Sequence, residues 1–117
     1  MKEMKLRLAR AKARLDRLAI YFEPVRIHRV RIWFTPWFFR LPGLRRYKGY
    51  ALRRTILLRS EDASDDLLTH ELCHIWQMQQ RPVAAMLAWL RYRYRENPFE
   101  REARSAVERT RSAPRSP

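Results

Sequence analysis

The chain has 117 residues and a mass of 14.3 kDa, which fits one small domain with one core and leaves no room for two. A hydrophobic fraction of 46% excludes a disordered polymer, in spite of 32% charged residues. The net charge is +14, from 26 Lys+Arg against 12 Asp+Glu, and all but four of the cations are arginine; such a balance suits nucleic acid, an anionic membrane surface or an acidic partner without choosing among them.

The N-terminal segment MKEMKLRLARAKARLDRLAIYF carries a charge every two or three residues and lacks the apolar run of a signal peptide. Leu8, Ala11, Leu15, Leu18 and Phe22 recur at steps of three and four, which predicts an amphipathic helix stopped by Pro24. Residues 25–34, VRIHRVRIWF, alternate with period two, but the apolar parity moves from Val25 and Ile27 to Val30, Ile32 and Phe34. A β-bulge or two short strands would produce that shift. Pro36, Pro42 and Gly43 punctuate an aromatic stretch, and a second strand signal follows Gly49. There Tyr50, Leu52, Ile56 and Leu58 are expected on one face, with Ala51, Arg53, Thr55, Leu57 and Arg59 on the other.

Residues 60–80 hold five acids and no Lys or Arg. Ser64 is a suitable N-cap, with Asp65 and Asp66 in the first turn, so a helix is predicted from Asp65 to Gln80, ending before Pro82. A third helix is expected from Val83 to Arg95. A fourth, capped by Asn97 with Pro98 at its first position, should fade near Thr110. The longest apolar run, Val83–Leu90, is eight residues, short of the roughly 20 that span a bilayer. With one cysteine, Cys73, no intrachain disulfide can form. The expected protein is cytoplasmic and α+β: an N-terminal helix, a small twisted sheet of about three strands, then three helices. Residues 1–110 form the domain and 111–117 a disordered tail.

The stretch that carries chemistry is His70-Glu71-Leu72-Cys73-His74. Histidines at i and i+4 project from one helix face and can bind one zinc ion, and the glutamate beside the first can take a proton from an attacking water. Leu68, Leu72, Ile75 and Trp76 give the same helix a separate apolar face for packing. A catalytic zinc takes three protein ligands. The third must come from downstream, where Glu96, Glu100, Glu102 and Glu108 are the candidates.

An HExxH helix followed by a helix bearing Glu-x-x-Ala, here Glu100-Arg101-Glu102-Ala103, resembles the gluzincin metallopeptidases. The likeness is to their minimal members: the minigluzincins, the ImmA/IrrE-type proteases, and the HtpX and CAAX-protease group. HELCHIWQMQ also looks like small bacterial HExxH domains. The resemblance spans about residues 50–106. It implies a zincin-like fold, Zn²⁺ as cofactor and a peptide or protein substrate. It further implies Glu71 as general base, with His70, His74 and Glu100 as metal ligands. It also implies that the strand before the active-site helix, with Thr55, Ile56 and Leu57, is the edge on which an extended substrate lies. Four residues after the ligand glutamate, where those families carry an acid or amide, stands Arg104, which cannot accept an imidazole N–H. Either another group orients the histidine or the ligand is not Glu100. Glu102 is then the alternative; the two lie about 200° apart on a helix and cannot both face the metal. Glu100 could also close a capping box with Asn97.

Tyr92 and Tyr94 are candidate oxyanion donors. Cys73 is expected as a small, half-buried core residue and His28 as a structural or surface one. Trp33, Trp37, Phe38 and Phe39 are expected in a core beneath the N-terminal helix; a substrate pocket or a membrane-contact patch beside Arg40, Arg45 and Arg46 are the alternatives. Two functions follow. One is zinc-dependent peptide hydrolysis. The other is a basic module binding nucleic acid or anionic lipid through its arginine-rich surface, with structural zinc or none.

Overall fold

The computed structural model describes residues 2–112 apart from 19, 22, 46, 53 and 92–96. Its elements run α1 (Lys2–Asp16), β1 (Arg31–Phe34), a 3-10 turn (Phe38–Arg40), β2 (Gly49–Leu52), β3 (Thr55–Leu58), α2 (Asp65–Gln80), α3 (Pro82–Arg91) and α4 (Pro98–Ser112). This is the expected α+β layout of one helix, a three-stranded sheet and three further helices. No helix among the described residues is long and apolar enough to cross a membrane.

α1 buries Leu8, Ala11 and Leu15 as its periodicity requires, but it ends well before Pro24. Its last turn tightens where Leu18 N–H donates to Leu15 C=O at 3.0 Å. The Asp16 carboxylate then accepts the N–H of Val25 at 3.1 Å and pins the returning chain. Only Arg31–Phe34 of the stretch 25–34 is strand. The parity shift is neither a bulge nor a second strand but a turn, closed by Val30 N–H to Ile27 C=O at 3.0 Å. The Gln79 amide ties this segment to α2: its Oε1 accepts from Arg26 N–H at 3.0 Å and its Nε2 donates to Arg26 C=O at 2.7 Å.

The sheet order is β1-β3-β2, with β1 parallel and β2 antiparallel to β3. The second strand signal is therefore a hairpin rather than one strand, and the turn reverses its parity. Tyr50 lies opposite Leu57 and Ala51 opposite Ile56, so Tyr50 and Leu52 do not share the face of Ile56 and Leu58. Ile56 and Leu58 are fully buried and pack with Leu68, Leu72, Ile75 and Trp76 of α2.

α2 has the predicted bounds. Leu67 N–H donates to Ser64 Oγ at 3.0 Å, the predicted cap. The acids of its first turn are partners of other helices: Arg14 Nη2 donates to Asp66 Oδ1 at 2.8 Å and to Thr110 Oγ1 at 2.7 Å, and Arg111 lies 3.2 Å from Asp66. One face of α2 thus clamps α1 and α4 while its apolar face fills the core. α3 starts one residue earlier than expected, at Pro82, and its described part ends at Arg91. Asn97 Oδ1 accepts Phe99 N–H at 2.9 Å and caps α4, which runs two residues past Thr110.

Not all the aromatics are core. Phe39 is buried, but Trp33 and Trp37 are each more than half exposed. The core beneath α1 is already filled by Val25, Leu72, Trp76 and Ala103, so β1 and the 3-10 turn keep these rings outside.

Candidate metal centre

His70 and His74 sit one turn apart on α2, with Nε2 atoms 3.2 Å from each other. α4 crosses this face and delivers Glu100, which is fully buried. Glu100 Oε1 lies 2.6 Å from His70 Nε2 and Oε2 lies 2.8 Å from His74 Nε2. Glu100 is thus the acid brought to the histidines, and Asn97 caps α4 without drawing Glu100 into a capping box. Glu102 faces elsewhere: its carboxylate accepts from Tyr21 Oη and, at 3.0 Å, from Gln77 Nε2. It is not the third member of the cluster.

The departure at Arg104 is answered by Gln77. Its Nε2 donates to Phe99 C=O at 2.7 Å and to Glu102, so its Oε1 must be the atom 2.8 Å from His74 Nδ1. An amide oxygen only accepts, so His74 carries a proton on Nδ1 and turns Nε2 toward Glu100, where it donates when protonated and would offer its lone pair to a bound metal ion. Gln77 has no role in the sequence-based reading. Its signal is its spacing, three residues after His74 on the stripe that holds His70. Trp89 of α3 packs edge-on against His74, ring centroids 5.5 Å apart.

The donor set fits a small, borderline-soft cation. His70, His74 and Glu100 are the group among the described residues whose ligand atoms all lie within 4.8 Å of one another. Two ligands about 2.0–2.1 Å from a tetrahedral zinc lie about 3.3 Å apart, close to the observed 3.2 Å between nitrogens. Both Glu100 oxygens are buried, and the polar groups set against them are the two imidazole nitrogens. A buried carboxylate placed so requires positive charge, from an imidazole proton or a metal ion. Burial by itself would raise the Glu100 pKa, but the paired imidazoles outweigh it and hold the carboxyl far below its usual range. Burial likewise works to lower His74, yet Glu100 and Glu71 outweigh it and raise the imidazole.

Glu71 is buried beside the cluster, and burial is the main reason its pKa is raised, with the two histidines opposing. It lies against β2 at Gly49, where an added Cβ would meet Glu71 Cγ at 3.2 Å. Glu71 and His70 line an open groove of about 500 Å³ whose other walls include Tyr47, Lys48, Gly49, Arg104 and Glu108. Cys73, on the core side, is fully buried, and burial pushes its thiol pKa well up, so it offers no thiolate to the site.

One group of expected site residues is not brought here. Thr55, Ile56 and Leu57 belong to β3, the middle strand, whose backbone is bonded on both sides; the edge strand beside Glu71 is β2. A short hairpin placed β2 outside the strand that directly precedes α2, which sequence order alone does not reveal. Tyr92 and Tyr94 lie outside the described residues; among the described residues, Tyr47 is on the groove wall. His28 is exposed in the turn after Ile27.

Comparison with protein-family models, curated proteins and solved structures finds no match to this chain.

Proposed function

We propose that the protein is a gluzincin-type, zinc-dependent peptidase. The observation that carries this reading is the convergence of His70, His74 and a fully buried Glu100 on one point beside Glu71. His70, His74 and Glu100 would hold the metal, and Gln77 keeps the His74 lone pair directed at it. Zinc, when bound, supplies Lewis acidity to a carbonyl oxygen and makes a water acidic near neutral pH.

Glu71 takes the proton of the attacking water and returns it to the leaving amine. Its raised pKa suits both halves of that cycle, because a carboxylate nearer neutrality is a better base and a usable acid. A peptide lying extended along the outer edge of β2 would pass Gly49, whose lack of a side chain lets Glu71 lie against the strand.

The test is metal analysis joined to a cleavage assay on casein. Wild-type protein should carry one zinc; His70→Ala and Glu100→Ala should carry none. Glu71→Gln should keep zinc and lose cleavage. A zinc-free wild type, or undiminished cleavage by Glu71→Gln, would sink this mechanism.

A further inference from the structure

α3 turns its small residues inward and its large apolar residues outward. Ala85 and Ala88 are buried against Phe99, while Val83, Met86, Leu87 and Leu90 are between 55% and 79% exposed. At 100° per residue those four span an arc of about 100°, opposite the two alanines. A helix packed on a core normally directs polar groups along that arc. This one carries no acid, and its only charges are Arg91 in its last turn and Arg81 immediately before it. We propose that the outer face of α3 is an interfacial docking surface for an anionic lipid bilayer.

The charge of the chain selects this occupant. A second copy would bring a further +14 against the first. An anionic headgroup layer complements Arg91 and the cation excess of the chain while its acyl boundary receives the leucines. A ten-residue helix about 15 Å long cannot span a bilayer but can lie in its surface plane. A separate set, Trp33 and Trp37, is also exposed, and Arg31, Arg40 and Arg45, near them in sequence, are exposed as well. Trp89 lies on the same helix and packs on His74, so docking through α3 brings the candidate metal centre to the lipid surface.

The full chain should be sedimented with vesicles of phosphatidylcholine alone and of phosphatidylcholine with about one-third phosphatidylglycerol. Binding to the anionic vesicles is expected, with Leu87→Glu/Leu90→Glu weakening it by about tenfold or more at unchanged circular dichroism. As a second readout, Leu90→Cys labelled with an environment-sensitive dye should shift to the blue on anionic vesicles; Cys73 is buried and does not compete for label. Equal binding by the glutamate variant would overturn the proposal, because basic charge alone would then hold the protein. So would a failure of the wild type to bind anionic vesicles, or a solution dimer that the glutamate variant dissociates.

Discussion

Gln77→Met keeps most of a buried side chain's volume and removes every hydrogen bond the amide makes. His74 Nδ1–H then loses its acceptor in a place water does not reach, and Glu102 loses one of two donors while keeping Tyr21. Phe99 C=O loses a side-chain donor but stays within α4. One stranded buried donor costs about 1–3 kcal/mol, and a hydrogen bond to a carboxylate contributes about 1.5–3 kcal/mol. The expected loss of stability from the two together is therefore about 2.5–6 kcal/mol, readable by urea unfolding of the metal-free protein.

The effect on metal is separate. Freed of Gln77, His74 can place its proton on either nitrogen, and only one tautomer presents a lone pair to the site. Losing such an orienting partner lowers affinity about 10–100-fold, or about 1.4–2.7 kcal/mol, measurable by competition with a chromogenic chelator. Gln77→Glu alone should be worse for stability, because it faces two carboxylates across the 3.0 Å contact with Glu102. Adding Glu102→Gln restores a donor there and should recover about 1 kcal/mol or more beyond additivity. Wild-type zinc affinity in Gln77→Met would refute the role given to this amide.

Gly49→Ala should leave metal content and fold intact yet depress cleavage, since the new methyl presses on Glu71 Cγ and Oε2 at 3.2 and 3.3 Å; unchanged cleavage at full zinc occupancy would refute the placement of Glu71 against β2. The chelated protein should be most stable in mildly acidic solution. Glu100, with its lowered pKa, contributes above the ordinary carboxylate range and loses that contribution on acidification; His74, with its raised pKa, contributes below the ordinary imidazole value and loses it as pH rises. Glu71, raised by burial, adds to the loss on the alkaline side. Zinc requires neutral imidazoles, so the rise in melting temperature that it produces should grow with pH. A chelated protein most stable in alkaline solution would contradict these signs.

What the sequence determined by itself is local. Ser64, the acidic first turn and Pro82 set both ends of α2, because a cap, a dipole and a missing N–H act within one or two turns. The i, i+4 spacing put His70 and His74 on one face before any packing was considered. Glu100 was legible through a resemblance, not through spacing, since Asn97 made a cap of the same residue plausible. Tertiary structure decided the rest. α4 had to cross α2 for Glu100 to reach the histidines and for Glu102 to turn toward Tyr21 and Gln77. The turn after Leu52 reversed the face of half a strand and moved β3 to the middle of the sheet. Gln77 acquired its role only when Phe99 and Glu102 arrived to occupy its N–H groups, leaving its oxygen for His74. Each of these depends on which groups from distant parts of the chain compete for one hydrogen-bonding atom or one buried face, and that competition is absent until the elements pack.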